Sequence, residues 1–313
     1  MKLWNSRSSL SGSDFVFRLL SAVCALLVIA LIVAVFLQLA ESSMLAFRQF
    51  GFSFLVSQKW NPVTGDFGAA SSIYGTLITT LIAMLIAVPL SLVIALFLAE
   101  LTHPVVSKVV GTCIELLAAI PSIIYGMWGL FVFAPFMSVY IQPWLQATFP
   151  YLPIFKGPKM GIGVLSAGII LAIMILPFIT CVIRDVFKMV PAVVKESGYG
   201  MGSTTWEVTH KITVRYGLTS IVGACFLGLG RALGETMAVT FVIGNSHRIT
   251  PSLFNAGSSI ASTLANEFAE AADPLHMSSL IALGFVLFIV TFVVQVAARL
   301  WLRQMQKSFG GGL

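Results

Sequence analysis

Residues 190–216 read VPAVVKESGYGMGSTTWEVTHKITVRY, a polar interval between two strongly apolar stretches, and the chain divides around it. Pro191 suits the first turn of a helix, where its missing N–H leaves no bond unmade. A short helix is expected over residues 196–201, with Gly202 permitting the backbone turn that ends it. Thr204 and Glu207, three residues apart, have the form of a capping box that starts a second helix. The expected product is a helix–turn–helix lying across a membrane face, a compact knob rather than a linker. An ordinary amphipathic connector is the alternative that the spacing leaves open.

The sequence around the knob explains why a membrane is expected. Hydrophobic residues make up 58% of the 313 and charged residues 10%, against about 25% charged in a soluble domain. Mean hydropathy is +0.97. Six mostly apolar runs, at residues 15–39, 73–99, 109–137, 161–183, 218–243 and 278–302, each suffice to cross about 30 Å of hydrocarbon. They are continuous rather than alternating, so helices are expected and not barrel strands. The fold class that follows is an all-α membrane protein with six transmembrane helices. The first run is too long for a signal-peptide core and is kept as an uncleaved helix.

Orientation follows from the basic residues. Twelve of the 18 Lys and Arg, from Lys2 and Arg7 through Lys195 to Arg303 and Lys307, fall on one side if the N-terminus is inside. The other side holds five (Arg48, Lys59, Lys156, Lys159 and Arg248), and Arg231 lies within a run. This bias puts both termini and the 190–216 loop in the cytoplasm. It also accounts for the net charge of +6 without any nucleic-acid partner. The organisation expected is a cytoplasmic segment 1–14, a first helix and periplasmic loop 15–72, a core 73–302, and a cytoplasmic tail 303–313. In the first outer loop, Phe47, Phe50, Phe52, Phe54 and Trp60 suit the membrane interface, or a contact surface for an external partner. Residues 262–271 of the third outer loop have a helical pattern.

Few residues are equipped for chemistry. The sharpest stretch is residues 228–235, GLGRALGE. An unpaired Arg231 inside a span costs at least about 2.5–3.5 kcal/mol. Glu235, four residues on, would share its helix face and pair with it. One reading is a purely internal ion pair; the other is that Arg231 faces a route for an oxyanion such as phosphate, which its guanidinium fork suits. On that reading Glu235 holds Arg231 between transport events. Gly230 and Gly234 are a small-xxx-small pair that lets another helix approach closely. Glu115, in the third run, is expected to be structural. The four cysteines lie in apolar runs and the four histidines in separate connecting segments, so no metal site, disulfide or histidine role is expected. No G-x-x-x-x-G-K-[ST] motif occurs, so the chain is no ATPase and no cofactor is expected.

Within the polar interval, Glu196-Ser197-Gly198, then Gly202, then Ile212 resemble the EAA loop of the membrane subunits of bacterial ABC importers. The departures are Ser197 and Gly198 for two alanines and Val214-Arg215 for Leu-Pro. From residue 73 to about 300 the chain resembles the PstC-type permease subunits of phosphate ABC importers. The stretches that carry this are residues 73–101, 114–136, 195–208, 228–245 and 264–271, the last reading LANEFAEA. The resemblance implies a type I ABC importer permease fold in the bacterial inner membrane. It implies a heterodimer with a PstA-type permease, a PstB-type ATPase dimer, and a PstS-type periplasmic phosphate-binding protein. By the same resemblance, Glu196 to Gly202 form the helix that couples to the ATPase, and Arg231 and Glu235 match charges linked to phosphate passage. Rival readings are a permease for sulfate or molybdate, an ion-coupled carrier or channel acting without an ATPase, and a membrane scaffold.

Overall fold

Hydrocarbon offers no hydrogen-bond partners, so a chain this apolar has to satisfy its backbone internally. The computed structural model describes residues 12–309, and there the chain does so almost wholly with helices. Lys2, Arg7 and nearly all of the expected segment 1–14, with residues 310–313 of the tail, lie outside the described residues. The helices are α1 (Gly12–Ser42), α2 (Met44–Phe50), α3 (Ser53–Val56), α4 (Ala70–Leu101), α5 (Pro104–Ala118) and α6 (Ser122–Thr148). They continue as α7 (Val164–Lys188), α8 (Ala192–Gly200), α9 (Thr205–Leu233), α10 (Met237–Ile243), α11 (Ile260–Glu267) and α12 (Pro274–Phe309). Six of them, α1, α4, α6, α7, α9 and α12, are long and apolar enough to cross a membrane.

The centre of the bundle is α7. Ile170, Leu171, Ile175, Ile179, Ile183 and Phe187 are fully enclosed, because α4, α5, α9 and α10 all pack on this one helix. At the opposite extreme, α1 exposes apolar side chains along its length, from Phe15 to Leu37, and suits contact with lipid. It touches the bundle through Phe36, which packs on Phe285 and Phe288 of α12.

Two expected spans are redrawn. Pro121 does not kink a helix from 109 to 137; it caps a new one, α6, after α5 has ended at Ala118. Proline biases the residue before it away from the helical region, so Ile120–Pro121 is a boundary. Glu115 therefore lies on α5, outside the spanning helix, where it pairs with Arg184 of α7 at 2.5 Å. The fifth run is also divided. It is helical to Leu233, breaks over residues 234–236, and resumes as α10.

A second core caps the bundle at the end away from α8. Phe54, Phe67, Ala69, Ile260, Leu280 and Leu283 are buried there, with Phe47, Phe50 and Trp60 packed against them. Four of the five aromatics expected at the membrane interface are thus internal packing, and Phe52 alone is exposed. The four are enclosed because the loops from 43–69 and 244–273 fold onto the starts of α4 and α12. Ser72, Ser258 and Thr263 share hydroxyl hydrogen bonds at 2.7–3.3 Å. The Ile260 amide donates to Thr76 at 3.0 Å. The expected helix 262–271 forms slightly earlier, as α11, behind a capping box of Ser259 and Ser262.

Candidate functional site

The 190–216 interval closes on itself. Pro191 caps α8, Met201 ends it, and Gly202 turns the chain at φ +84°, a left-handed angle that glycine alone takes without strain. Thr204 and Glu207 form the capping box, each bonding the other's backbone N–H at 3.1–3.3 Å. The helix that begins there is not a second flat element. It widens through a π-helical turn at Val208–Thr213 and runs straight on as α9. Gly198 lies against Val208 and Ile212, and a Cβ in its place would come within 2.5 Å of Ile212 Cδ1. So Gly198 and Ile212 meet across the turn, whereas Glu196 and Ser197 face outward. Around them Val193, Tyr199, Met201 and Trp206 are exposed, Trp206 to 73%, with its ring stacked on His210. Exposed apolar side chains rimmed by polar residues suit an interaction surface.

The knob is also tied to the bundle. Lys195 Nζ pairs with Glu100 Oε1 at 2.5 Å and reaches the Phe187 carbonyl at 3.4 Å. Glu100 is 9% exposed and sits in the π turn Phe97–Leu101 that ends α4. One ammonium therefore joins α8 to the ends of two spanning helices.

Arg231 and Glu235 do not share a helix face, and the internal ion pair is not formed. Gly234 caps α9, so Glu235 lies in the break and its carboxylate accepts from the Ala238 amide at 3.3 Å, at the start of α10. Arg231 lies over the Phe178 ring at 5.5 Å from the centroid and has no salt-bridge partner among the described residues. Phe178 is in the middle of the 25 residues of α7, so the guanidinium stands at mid-depth. Non-helical backbone at such depth is tolerated where protein or a water-filled cavity surrounds it. Cation and break thus occur together. Close approach occurs as expected at Gly230, against Gln295 of α12, and also at Gly228, against Ile179 of α7; Gly234 serves as a cap instead.

A further charged cluster had no expectation attached to it. At the opposite end from α8, Glu267 accepts from Trp60 Nε1 at 2.7 Å, with His276 Nε2 at 3.0 Å and His247 Nε2 at 3.4 Å. The His247 ring stacks on Trp60 and that of His276 on Phe67. Burial works against the Glu267 carboxylate, but the hydrogen bonds from His247, Trp60 and His276 outweigh it, so the carboxyl titrates below its ordinary value. Two histidines read as unrelated connectors therefore share one partner. Residues 60, 247, 267 and 276 carry no common spacing by which sequence reasoning would group them.

The comparisons agree with this geometry. Residues 91–307 match the family described as binding-protein-dependent transport system inner membrane component. The phosphate transport system permease protein PstC of Mesorhizobium japonicum is 51% identical, over 95% of this chain and 92% of its own length. That of Pasteurella multocida is 52% identical, over 95% and 94%. The chain belongs to the PstC permease family. It is a multi-pass protein of the inner membrane. A bacterial alginate ABC transporter chain, solved in complex with an alginate-bound periplasmic protein, superposes with a TM-score of 0.62 at 18% identity, over 94% of this chain and 98% of that one. A chain of the MetNI methionine ABC transporter, in an inward-facing form, gives 0.53 at 16% identity, over 75% and 92%. At these identities the likeness concerns the fold, which is that of type I ABC importer permeases.

Proposed function

We propose that this chain is half of the translocation pathway of an ATP-driven phosphate importer. A PstA-type permease supplies the other half, a PstB-type ATPase dimer drives it, and a PstS-type periplasmic binding protein delivers phosphate. The observation that carries the reading is the 51% identity to a PstC permease along nearly the whole of both chains. Arg231 supports it chemically. A mid-depth guanidinium over an aromatic ring, with no carboxylate bound to it, has donors free for an oxyanion that must shed water on entry. Glu235, in the break beside it, limits how tightly the anion is held.

The α8 knob is the element that couples to the ATPase, with Glu196, Ser197, Gly198, Gly202 and Ile212 as its defining residues. The Lys and Arg distribution supports a cytoplasmic position for it and for both termini. ATP-driven closure of the ATPase pair would pull on α8, and through Lys195 and Glu100 on α4 and α7, opening the permease outward. Hydrolysis in the partner resets it.

The test is ATP hydrolysis and uptake by the co-expressed complex in proteoliposomes, with the binding protein loaded with phosphate or with sulfate. Stimulation by phosphate alone is expected. Sulfate stimulation would keep the machine and change the cargo, and flux from this chain without an ATPase would overturn the reading. In the same assay, Arg231→Gln should abolish uptake while the complex still assembles. Normal uptake would remove Arg231 from the pathway.

A further inference from the structure

At the α8 end of the bundle, a pocket of about 460 Å³ opens between the end of α4, α5 and the end of α7. Arg184 lines it and is 8% exposed. Its Nε and Nη2 donate to Glu115 and Asp185, whereas Nη1 has no hydrogen-bond partner among the described residues. That nitrogen packs against Gly111, where a Cβ would overlap it. Lys108 and Lys188 also line the pocket and form no salt bridge among the described residues. Thr102 Oγ1, on the same lining, is buried without a partner. Of the three cations on the lining, Arg184 is committed to two carboxylates, Glu115 and Asp185, whereas Lys108 and Lys188 have none among the described residues. That excess of positive charge suits an anion.

The surroundings indicate where that anion comes from. Along α5, Lys108, Thr112 and Glu115 recur at helical spacing and line the pocket, while Val105, Val109 and Leu116 recur on another stripe and are exposed. An amphipathic helix of this kind lies at a membrane surface with its apolar stripe in the acyl region. Basic pockets between spanning helices at that depth suit lipid phosphates. We infer that the pocket binds a phosphate-bearing anion, and that its source is an anionic phospholipid headgroup whose acyl chains lie along the apolar stripe of α5. Free phosphate shares the headgroup's chemistry and is separated from it by experiment. The inference does not depend on which cargo the permease carries.

The complex as it purifies from membranes would be stripped of loosely held lipid and titrated with phosphatidylglycerol, against phosphatidylcholine, with bound lipid read by native mass spectrometry. Tight retention of phosphatidylglycerol only is expected. Lys108→Gln with Lys188→Gln should weaken it about 25-fold, taking roughly fivefold per basic residue near the surface. Gly111→Val, which displaces Nη1 without removing a charge, should weaken it as well, and Lys159→Gln at the far end should not. Equal retention by wild type and the double variant overturns the proposal. Inorganic phosphate protecting Lys108 from acylation in lipid-free detergent, where phosphatidylglycerol does not, keeps the anion site and overturns the lipid. None of these readouts involves uptake, so they stand apart from the transport reading.

Discussion

At the α8 end, the turn is held by groups three to fourteen residues apart, from the Thr204–Glu207 box to the contact of Gly198 with Ile212. At the other end, Glu267 binds Trp60 from 207 residues away, and Ala46 donates to Ser278 across 232. The first end is a local device whose shape is set within its own turn, which suits the proposed coupling role. The second is a cap whose integrity requires four separate parts of the chain to be in place together. Motion that separates the spanning helices on the cap side would therefore have to break the Glu267 cluster, whereas the knob would travel as one piece, anchored by Lys195.

That contrast is broken most severely at the anchor. Lys195→Met leaves Glu100, 9% exposed, without its partner, and an uncompensated buried charge costs about 3 kcal/mol or more. The expected result is a large drop in thermal stability, together with ATP hydrolysis that no longer produces uptake. Glu100→Gln combined with Lys195→Met should be less harmful than the two single losses added, which a double-mutant cycle reads directly. Additive losses would mean that the pair is not the tie between α8 and α4.

An intermediate effect is expected at the cap. Glu267 has its carboxyl held below the ordinary value of 4.5. The stability it contributes is therefore complete above about pH 4.5 and is lost as pH falls through the lower, folded value. Hydrogen exchange in residues 244–259, corrected for intrinsic rate, should be unchanged by this group from pH 7 to 5 and rise below that range. Glu267→Gln should raise it above about pH 5, by the equivalent of about 1–3 kcal/mol for an unmet buried hydrogen bond, and remove the acid step, so that the two proteins converge at low pH. An acid step that survives in the variant would assign it to some other group.

The same contrast explains which parts of the structure were legible in the sequence. Pro191, Gly202 and Thr204 each restrict the backbone within their own turn, so the knob could be read residue by residue. Six spans could be counted because the cost of burying polar backbone in lipid acts on each run separately. The breaks were harder. Pro121 is compatible with a kink or with a helix start, and only the docking of α5 on Arg184 settles which. Gly234 reads as a packing glycine until α10 packs on α6 and α7, with Gly126 against Met237 and Ala238. The Arg231–Glu235 pair failed for this reason: i, i+4 spacing places two residues on one face only if the helix continues between them. Of the cap, the helix near residues 262–271 could be read, but Glu267 and its histidines could not, since long-range pairing leaves no period in the sequence.

The smallest effect is also the one that most sharply separates the two ends. Thr204→Ala removes the hydroxyl that accepts from the Glu207 amide at 3.3 Å. Loss of a helix N-cap costs about 1 kcal/mol, and here the Thr204 backbone amide still donates to Glu207 Oε2 at 3.1 Å. Because α9 continues from this cap without interruption, fraying should stop at the π turn Val208–Thr213 and leave the spanning part intact. Hydrogen exchange should therefore rise in residues 203–208 by about fivefold, the equivalent of that free energy, with no change in residues 214–233 or in the cap. Exchange that spreads into the span would show that α9 depends on its capping box for more than its first turn, and the knob would then be a part of the bundle rather than a lever attached to it.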